Sequence, residues 1–273
     1  MRRCVSVGAV LIAAASVGGD VASVAAPNHQ LANKVASVDV ELVLAVDISH
    51  SMDTDELAVQ REGYAQAIVS KEFLQALNTG PNRRVAVTYF DWSASRDQKV
   101  IVPWRVIDGP EAAEAVANGI MKMPIRRGSS TSISGAINFA MSLFEENPYR
   151  GLRRIIDISG DGPNNNGAPV TSARDAALLN GITINGLAIM VTERSAMDID
   201  DLDFYYEDCV IGGTVSFAMT IKDRGKFKEA IRTKLLREIA GQAPEQQTVL
   251  VGGKEPRVSC LIGETIWQDR WPR

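Results

Sequence analysis

Apolar residues gather along this chain in short unbroken runs separated by stretches of helical periodicity. The first run is Val40-Glu41-Leu42-Val43-Leu44-Ala45-Val46. A run of this length, rich in Val and Leu, reads as a parallel strand buried on both faces, at about 39–46. Asp53 to Leu77 follows as a helix, with Leu57, Tyr64, Ala65 and Ile68 on one face. Asp53 or Thr54 can cap it, and Asp55 and Glu56 suit its positive end. After the Gly80-Pro81-Asn82 turn, Arg84 to Phe90 alternates as a strand. Asp91 to Gln98 is a polar loop, and Lys99 to Trp104 a short strand that completes an edge hairpin. Pro110 to Met123 and Thr131 to Glu146 read as helices, the second ended by Pro148. Arg154 to Ser159 is a strand, Pro169 to Asn180 a helix closed by Gly181, and Ile182 to Met190 a strand. Val210 to Ile221 contains a further strand, and Phe227 to Ala240 is the last helix. Strands that alternate with helices predict an α/β fold: a doubly wound, mostly parallel sheet of about six strands, with helices on both faces and one short antiparallel edge strand.

The start of the chain departs from this pattern. Arg2 and Arg3 precede an apolar, small-residue run from Val5 to Val17, and Ser23-Val24-Ala25 offers a small-x-small cleavage site. Residues 1–25 therefore read as a secretory signal peptide, a membrane anchor being the alternative. Residues 26–37 form a polar lead-in, residues 38–240 the folded domain and residues 241–273 a tail. No later stretch is long and apolar enough to span a membrane. The expected location is outside the cytoplasm, either periplasmic or secreted. The formal charge of −4 gives no reason to expect nucleic acid. Beyond the leader only Cys209 and Cys260 remain. In an oxidising compartment two such cysteines pair as a disulfide, the alternative being two buried thiols.

Candidate chemistry sits at strand ends. Asp47-Ile48-Ser49-His50-Ser51 closes the first apolar run, placing a carboxylate and two hydroxyls where open α/β sheets bind ligands. Thr131 lies at a helix entrance after Gly128-Ser129-Ser130, and Asp161 follows the strand Ile155-Ile156-Asp157-Ile158-Ser159-Gly160. With these residues the chain resembles the von Willebrand factor type A domains and their metal-ion-dependent adhesion site. That site uses Asp-x-Ser-x-Ser, a distant Thr and a distant Asp in this order. The resemblance implies Asp47, Ser49, Ser51, Thr131 and Asp161 as the metal residues, with Mg²⁺, or Mn²⁺ or Ca²⁺, as the ion. The wider text is similar to an exported bacterial family of this type whose function is uncharacterised. Arg61-Glu62-Gly63, Phe90-Asp91-Trp92-Ser93, Val102-Pro103-Trp104, Ser159-Gly160-Asp161-Gly162-Pro163-Asn164-Asn165, Gly181-Ile182-Thr183-Ile184-Asn185-Gly186-Leu187 and Asp208-Cys209-Val210-Ile211-Gly212-Gly213 carry that likeness.

Two carboxylates and three neutral hydroxyls leave a divalent cation with residual positive charge and an open position. A carboxylate of a partner protein is the expected occupant. Trp92, in the loop expected after the second strand, and Asn164 and Asn165 are candidate rim residues for that partner. Packing at the sheet edge is the alternative for Trp92, and bracing of a tight loop for the asparagines. Asp157 stands inside an apolar strand, where a charge needs a partner that the sequence does not name. A metal-dependent hydrolase or phosphohydrolase with Asp47 as nucleophile is the enzymatic alternative. Ser49 stands where a haloacid-dehalogenase-like enzyme wants a second acid, and the chain has neither a phosphate loop nor His-Glu-x-x-His. The expectation is a binding module and not an enzyme, with an envelope protein carrying a merely stabilising metal as the remaining alternative.

Overall fold

A computed structural model describes residues 36–191, 199–241 and 255–270. The expected signal peptide and most of the lead-in lie outside the described residues, as do 242–254 of the tail. The described residues belong to one compact unit, Val35–Arg273. Its six strands are β1 (Ala36–Asp47), β2 (Val85–Trp92), β3 (Gln98–Ile107), β4 (Tyr149–Gly160), β5 (Ile182–Ile189) and β6 (Ala218–Ile221). Between and after them run helices α1 (Thr54–Ile68), α2 (Lys71–Leu77), α3 (Pro110–Lys122), α4 (Ile133–Glu145), α5 (Val170–Leu179), α6 (Leu202–Tyr205), α7 (Phe227–Ala240) and α8 (Ile262–Arg270). The sheet order is β3-β2-β1-β4-β5-β6, parallel throughout except for the β2–β3 pair. This is the doubly wound α/β fold that the alternation predicts.

β1 lies at the centre, which explains its unbroken apolar run. Val40, Leu42, Leu44 and Val46 face one layer, where they meet residues of α1, α2, α3 and α7. Val43 and Ala45 face the other, built from α4, α5 and the α6 region. The one acid in the run, Glu41, accepts from Asn147 Nδ2 and the Gly151 N–H at the opposite end of the strand from the candidate site. α1 and α7 approach closely because residue 63 is glycine: a Cβ there would lie 2.7 Å from Ile231 Cδ1.

The helix expected over Asp53 to Leu77 is two helices. Ser70 accepts the Phe73 N–H at 3.2 Å and starts α2, a local bond that competes with continuation of α1. β3 runs longer than expected, and its register against β2 shifts around Tyr89. Pro103 is tolerated there because an edge strand need not donate on both sides. β2 also runs two residues past its expected end and pairs Asp47 with Trp92. Alternation then turns Trp92 to the same side as Phe90, into the core. After α6 the chain continues as a π-helical turn, Tyr206–Val210, which the sequence reading did not anticipate. The tail contributes α8.

Candidate metal centre

The carboxyl ends of β1 and β4, the α4 entrance and the turn after β4 meet at one end of the sheet. Asp47 is the last residue of β1, and its Oδ1 accepts the Ser49 N–H at 2.7 Å. That bond folds Ile48 to Ser51 back over the strand end. Ile48 donates its N–H to Trp92 O at 2.9 Å, and its carbonyl accepts from Gly128 N at 2.7 Å. Arg127 then braces the loop from outside, donating to the carbonyls of His50 and Met52 at 2.7 and 2.9 Å.

The side-chain oxygens converge. Ser51 Oγ donates to Asp161 Oδ1 at 2.7 Å, Ser49 Oγ lies 3.4 Å from the same oxygen, and the two serine hydroxyls are 3.1 Å apart. Thr131 is held against the same turn by reciprocal bonds with Asn165: Thr131 N–H to Asn165 Oδ1 at 3.0 Å and Asn165 N–H to Thr131 O at 2.8 Å. Its hydroxyl lies 3.8 Å from the point a Cβ at Gly162 would occupy. All five sequence-derived residues therefore stand at one end of the fold. Asp47, Ser49, Thr131 and Asp161 are buried, and Ser51 is half-buried.

Burial and the negative charge of Asp161 push the Asp47 carboxyl well above the usual carboxylate range, against the lowering effect of the Ser49 and Asp161 backbone N–H groups. Asp47 Oδ2 has no hydrogen-bond partner. Two acids and three hydroxyls, with one acid oxygen unsatisfied, form an oxygen-only donor set that fits a hard divalent cation. Among the described residues no group of three or more His, Cys, Asp or Glu competes with it as a metal site.

Two of the expected rim residues are buried. Trp92 is fully buried, because the longer β2 directs it inward, and it offers nothing to a partner. Asn164 is also fully buried and braces the loop that carries Asp161. Its Oδ1 accepts the Ser134 N–H at 3.0 Å, and its Nδ2 donates to Ala168 O at 3.0 Å and Glu264 Oε1 at 2.7 Å. Its own N–H donates to Tyr205 OH at 3.1 Å. Asn165 is half-buried in its clasp with Thr131. His50 is exposed.

Beneath the site, Asp157 finds its partner in Lys234 of α7, Nζ to Oδ1 at 2.5 Å, and Lys234 also pairs with Glu238 at 2.6 Å. Gln60 Nε2 donates to Ser159 Oγ at 2.9 Å one step nearer the site. Cys209 and Cys260 are bonded, with their Cα atoms 5.4 Å apart. The disulfide fastens the π turn to the segment leading into α8, whose Glu264 reaches Asn164. None of Lys234, Gln60, Tyr206 or Glu264 carried a sequence signal. They act through contacts distant along the chain, and no motif spacing reports those.

The comparisons agree with the fold. A family model described as a protein of unknown function, DUF1194, matches residues 37–243. The chain belongs to the DUF1194 family. Its fold is of the von Willebrand factor A type, as three solved structures show. Proximal thread matrix protein 1 of the mussel byssus, solved with a zinc-occupied metal-ion-dependent adhesion site, is 16% identical with a TM-score of 0.53, over 76% of this chain and 49% of that one. The pilus adhesin SpaC of Lactobacillus rhamnosus GG is 12% identical with a TM-score of 0.56, over 76% and 31%. A von Willebrand factor type A protein from Catenulispora acidiphila is 15% identical with a TM-score of 0.51, over 75% and 43%. The chain thus spans about half or less of each of these proteins. A search of curated proteins by sequence returned no match.

Proposed function

We propose that this DUF1194 protein is an exported, cation-dependent protein-binding module. Asp47, Ser49, Ser51, Thr131 and Asp161 hold a divalent ion, Mg²⁺ by donor chemistry with Mn²⁺ or Ca²⁺ as substitutes, and the ion's open position takes a carboxylate of a partner protein. The observation that carries this reading is the meeting of both serine hydroxyls on Asp161 Oδ1 beside a desolvated Asp47. A cation there offsets two buried negative charges that otherwise oppose each other. The zinc in the mussel protein's site and the adhesin among the similar folds support it. The exposed Arg96 and Arg127 on the surrounding loops suit an acidic partner. The Cys209–Cys260 bond supports export to an oxidising compartment, periplasmic or extracellular.

The test has two stages. Calorimetric titration of the full chain with Mg²⁺, Mn²⁺, Ca²⁺ and Zn²⁺ should show one saturable site, lost in Asp47→Ala and Asp161→Ala variants that still fold. Cation-dependent recovery of a partner from envelope extract should then follow wild type only and be abolished by chelator. Equal recovery by wild type and Asp161→Ala, with and without chelator, sinks the adhesion-type reading.

A further inference from the structure

Two buried oxygens beside the candidate site lack hydrogen-bond partners: Asp47 Oδ2 and the Tyr206 hydroxyl. They approach the same point from different elements. A Cβ on Gly160 would lie 2.8 Å from each of them. The Tyr206 ring reaches this position through a slot made by two glycines on adjacent strands. A Cβ at Gly186 of β5 would meet the ring at 2.7 Å, and β4 and β5 pair Ile158 with Gly186, two residues before Gly160. A fully buried phenol with an empty hydroxyl is costly, and Phe would fill the same space without that cost. Its neighbour Tyr205 shows the usual outcome, since its hydroxyl accepts the Asn164 N–H.

We propose that Tyr206 is a positioning residue of the cation site, its hydroxyl donating to Asp47 Oδ2 and fixing the carboxylate for the ion. This rests on the cation-binding reading above. Ser49 N–H already holds Oδ1, so the phenol completes the pair and sets the plane of the carboxylate. A small turn of the carboxylate about its broad terminal torsion, or one bridging water, closes the contact. An ordinary phenol is protonated at neutral pH and able to donate. Groups that orient a metal ligand in this way contribute about 10–100-fold to metal affinity. The π turn that presents Tyr206 is a local geometry found often at functional sites.

The experiment compares Mn²⁺ and Mg²⁺ affinity of full-length wild type and Tyr206→Phe by calorimetry, with melting temperature measured in chelator. The expected result is affinity weakened about 10–100-fold, with melting in chelator equal to or above wild type. A tyrosine difference absorbance that accompanies cation addition to wild type should vanish in Tyr206→Phe. Gly160→Ala, which places a methyl between the two oxygens, should weaken binding as well. Unchanged affinity in Tyr206→Phe, while Asp47→Ala abolishes binding, overturns the role of Tyr206 and leaves the cation site standing. If wild type takes up no cation, both readings fall together.

Discussion

Replacing Lys234 by Met removes a buried ammonium and leaves two carboxylates facing each other under the sheet. Lys234 is fully buried on α7, with Nζ 2.5 Å from Asp157 Oδ1 and 2.6 Å from Glu238 Oε1. What remains after its loss is thin. Tyr64 OH lies 3.4 Å from Asp157 Oδ1, Asn185 Nδ2 lies 3.1 Å from Glu238 Oε1, and the second oxygens of both acids have no partner. Breaking a buried pair from one side costs about 3–5 kcal/mol, because the stranded charge stays desolvated. Against a typical stability of about 5–15 kcal/mol this is a large share. The loss depends on pH. Burial first, then the charge of Asp157, raise the Glu238 carboxyl to about 7, while Lys234 and Asn185 pull it down. A carboxyl raised on folding binds more protons folded than unfolded, so stability falls as pH rises from the ordinary Glu range through about 7. Without Lys234 that window extends upward, and the cost of the variant is larger at about pH 8.5 than at about pH 5.5. Urea unfolding of wild type and Lys234→Met at the two pH values reads the difference directly. A loss under about 1 kcal/mol at the higher pH, or an equal loss at both, refutes the electrostatic account. The triple variant Asp157→Asn, Lys234→Met, Glu238→Gln should recover most of the stability, which separates charge from packing.

Addition of Mg²⁺ or Mn²⁺ should raise the melting temperature, with about 2.7 kcal/mol gained at a hundredfold excess over Kd. Protons compete for the raised Asp47 carboxyl, so the shift should shrink as pH falls and vanish in Asp47→Ala, as read by thermal scans across pH. Reduction of Cys209–Cys260, which closes a loop over a separation of 51 residues, removes up to ~4 kcal/mol of chain-entropy stabilisation. Because Gly263 is the one buried residue of α8, hydrogen exchange should show α8 opening first while the central strands stay protected. Glu264→Ala removes one of the two acceptors of Asn164 Nδ2 and should cost about 1 kcal/mol, with faster exchange of the amides at 161–166 and little change in the central strands.

Much of the fold was legible because its signals are local. Apolar runs at β1, β4 and β5 mark strands covered on both faces, and α7 begins and ends where its periodicity does, at Phe227 and Ala240. The candidate site was legible for a related reason. Strand ends and helix entrances fall where the periodicity changes, so Asp47, Thr131 and Asp161 could be placed at one end of a sheet without knowing any contact. Trp92 was expected in a loop, but β2 pairing continues through it, and strand alternation then puts it on the same buried side as Phe90. Asn164 takes the loop-bracing role offered as its alternative, but its partners Ser134, Tyr205 and Glu264, up to 100 residues away, were not legible. The break at Val69–Ser70 was missed because a single capping serine is a weak signal inside a helical pattern.

The two acids of the site are supported from different layers. On the α1–α7 side, Asp157 and Ser159 alternate up β4 toward Asp161, held by Lys234 and Gln60. On the other side, the π turn after α6 presents Tyr206 to Asp47, while the adjacent Tyr205 holds the backbone of Asn164 in the Asp161 loop. Cys209 lies in that same turn, so the disulfide anchors the element that carries Tyr206. The charge of Asp161, after burial, raises the Asp47 carboxyl, so bringing the two acids together carries an electrostatic cost that these supports offset. On the cation-binding reading proposed above, these supports hold the donors together for an ion, and loosening the turn should weaken cation binding.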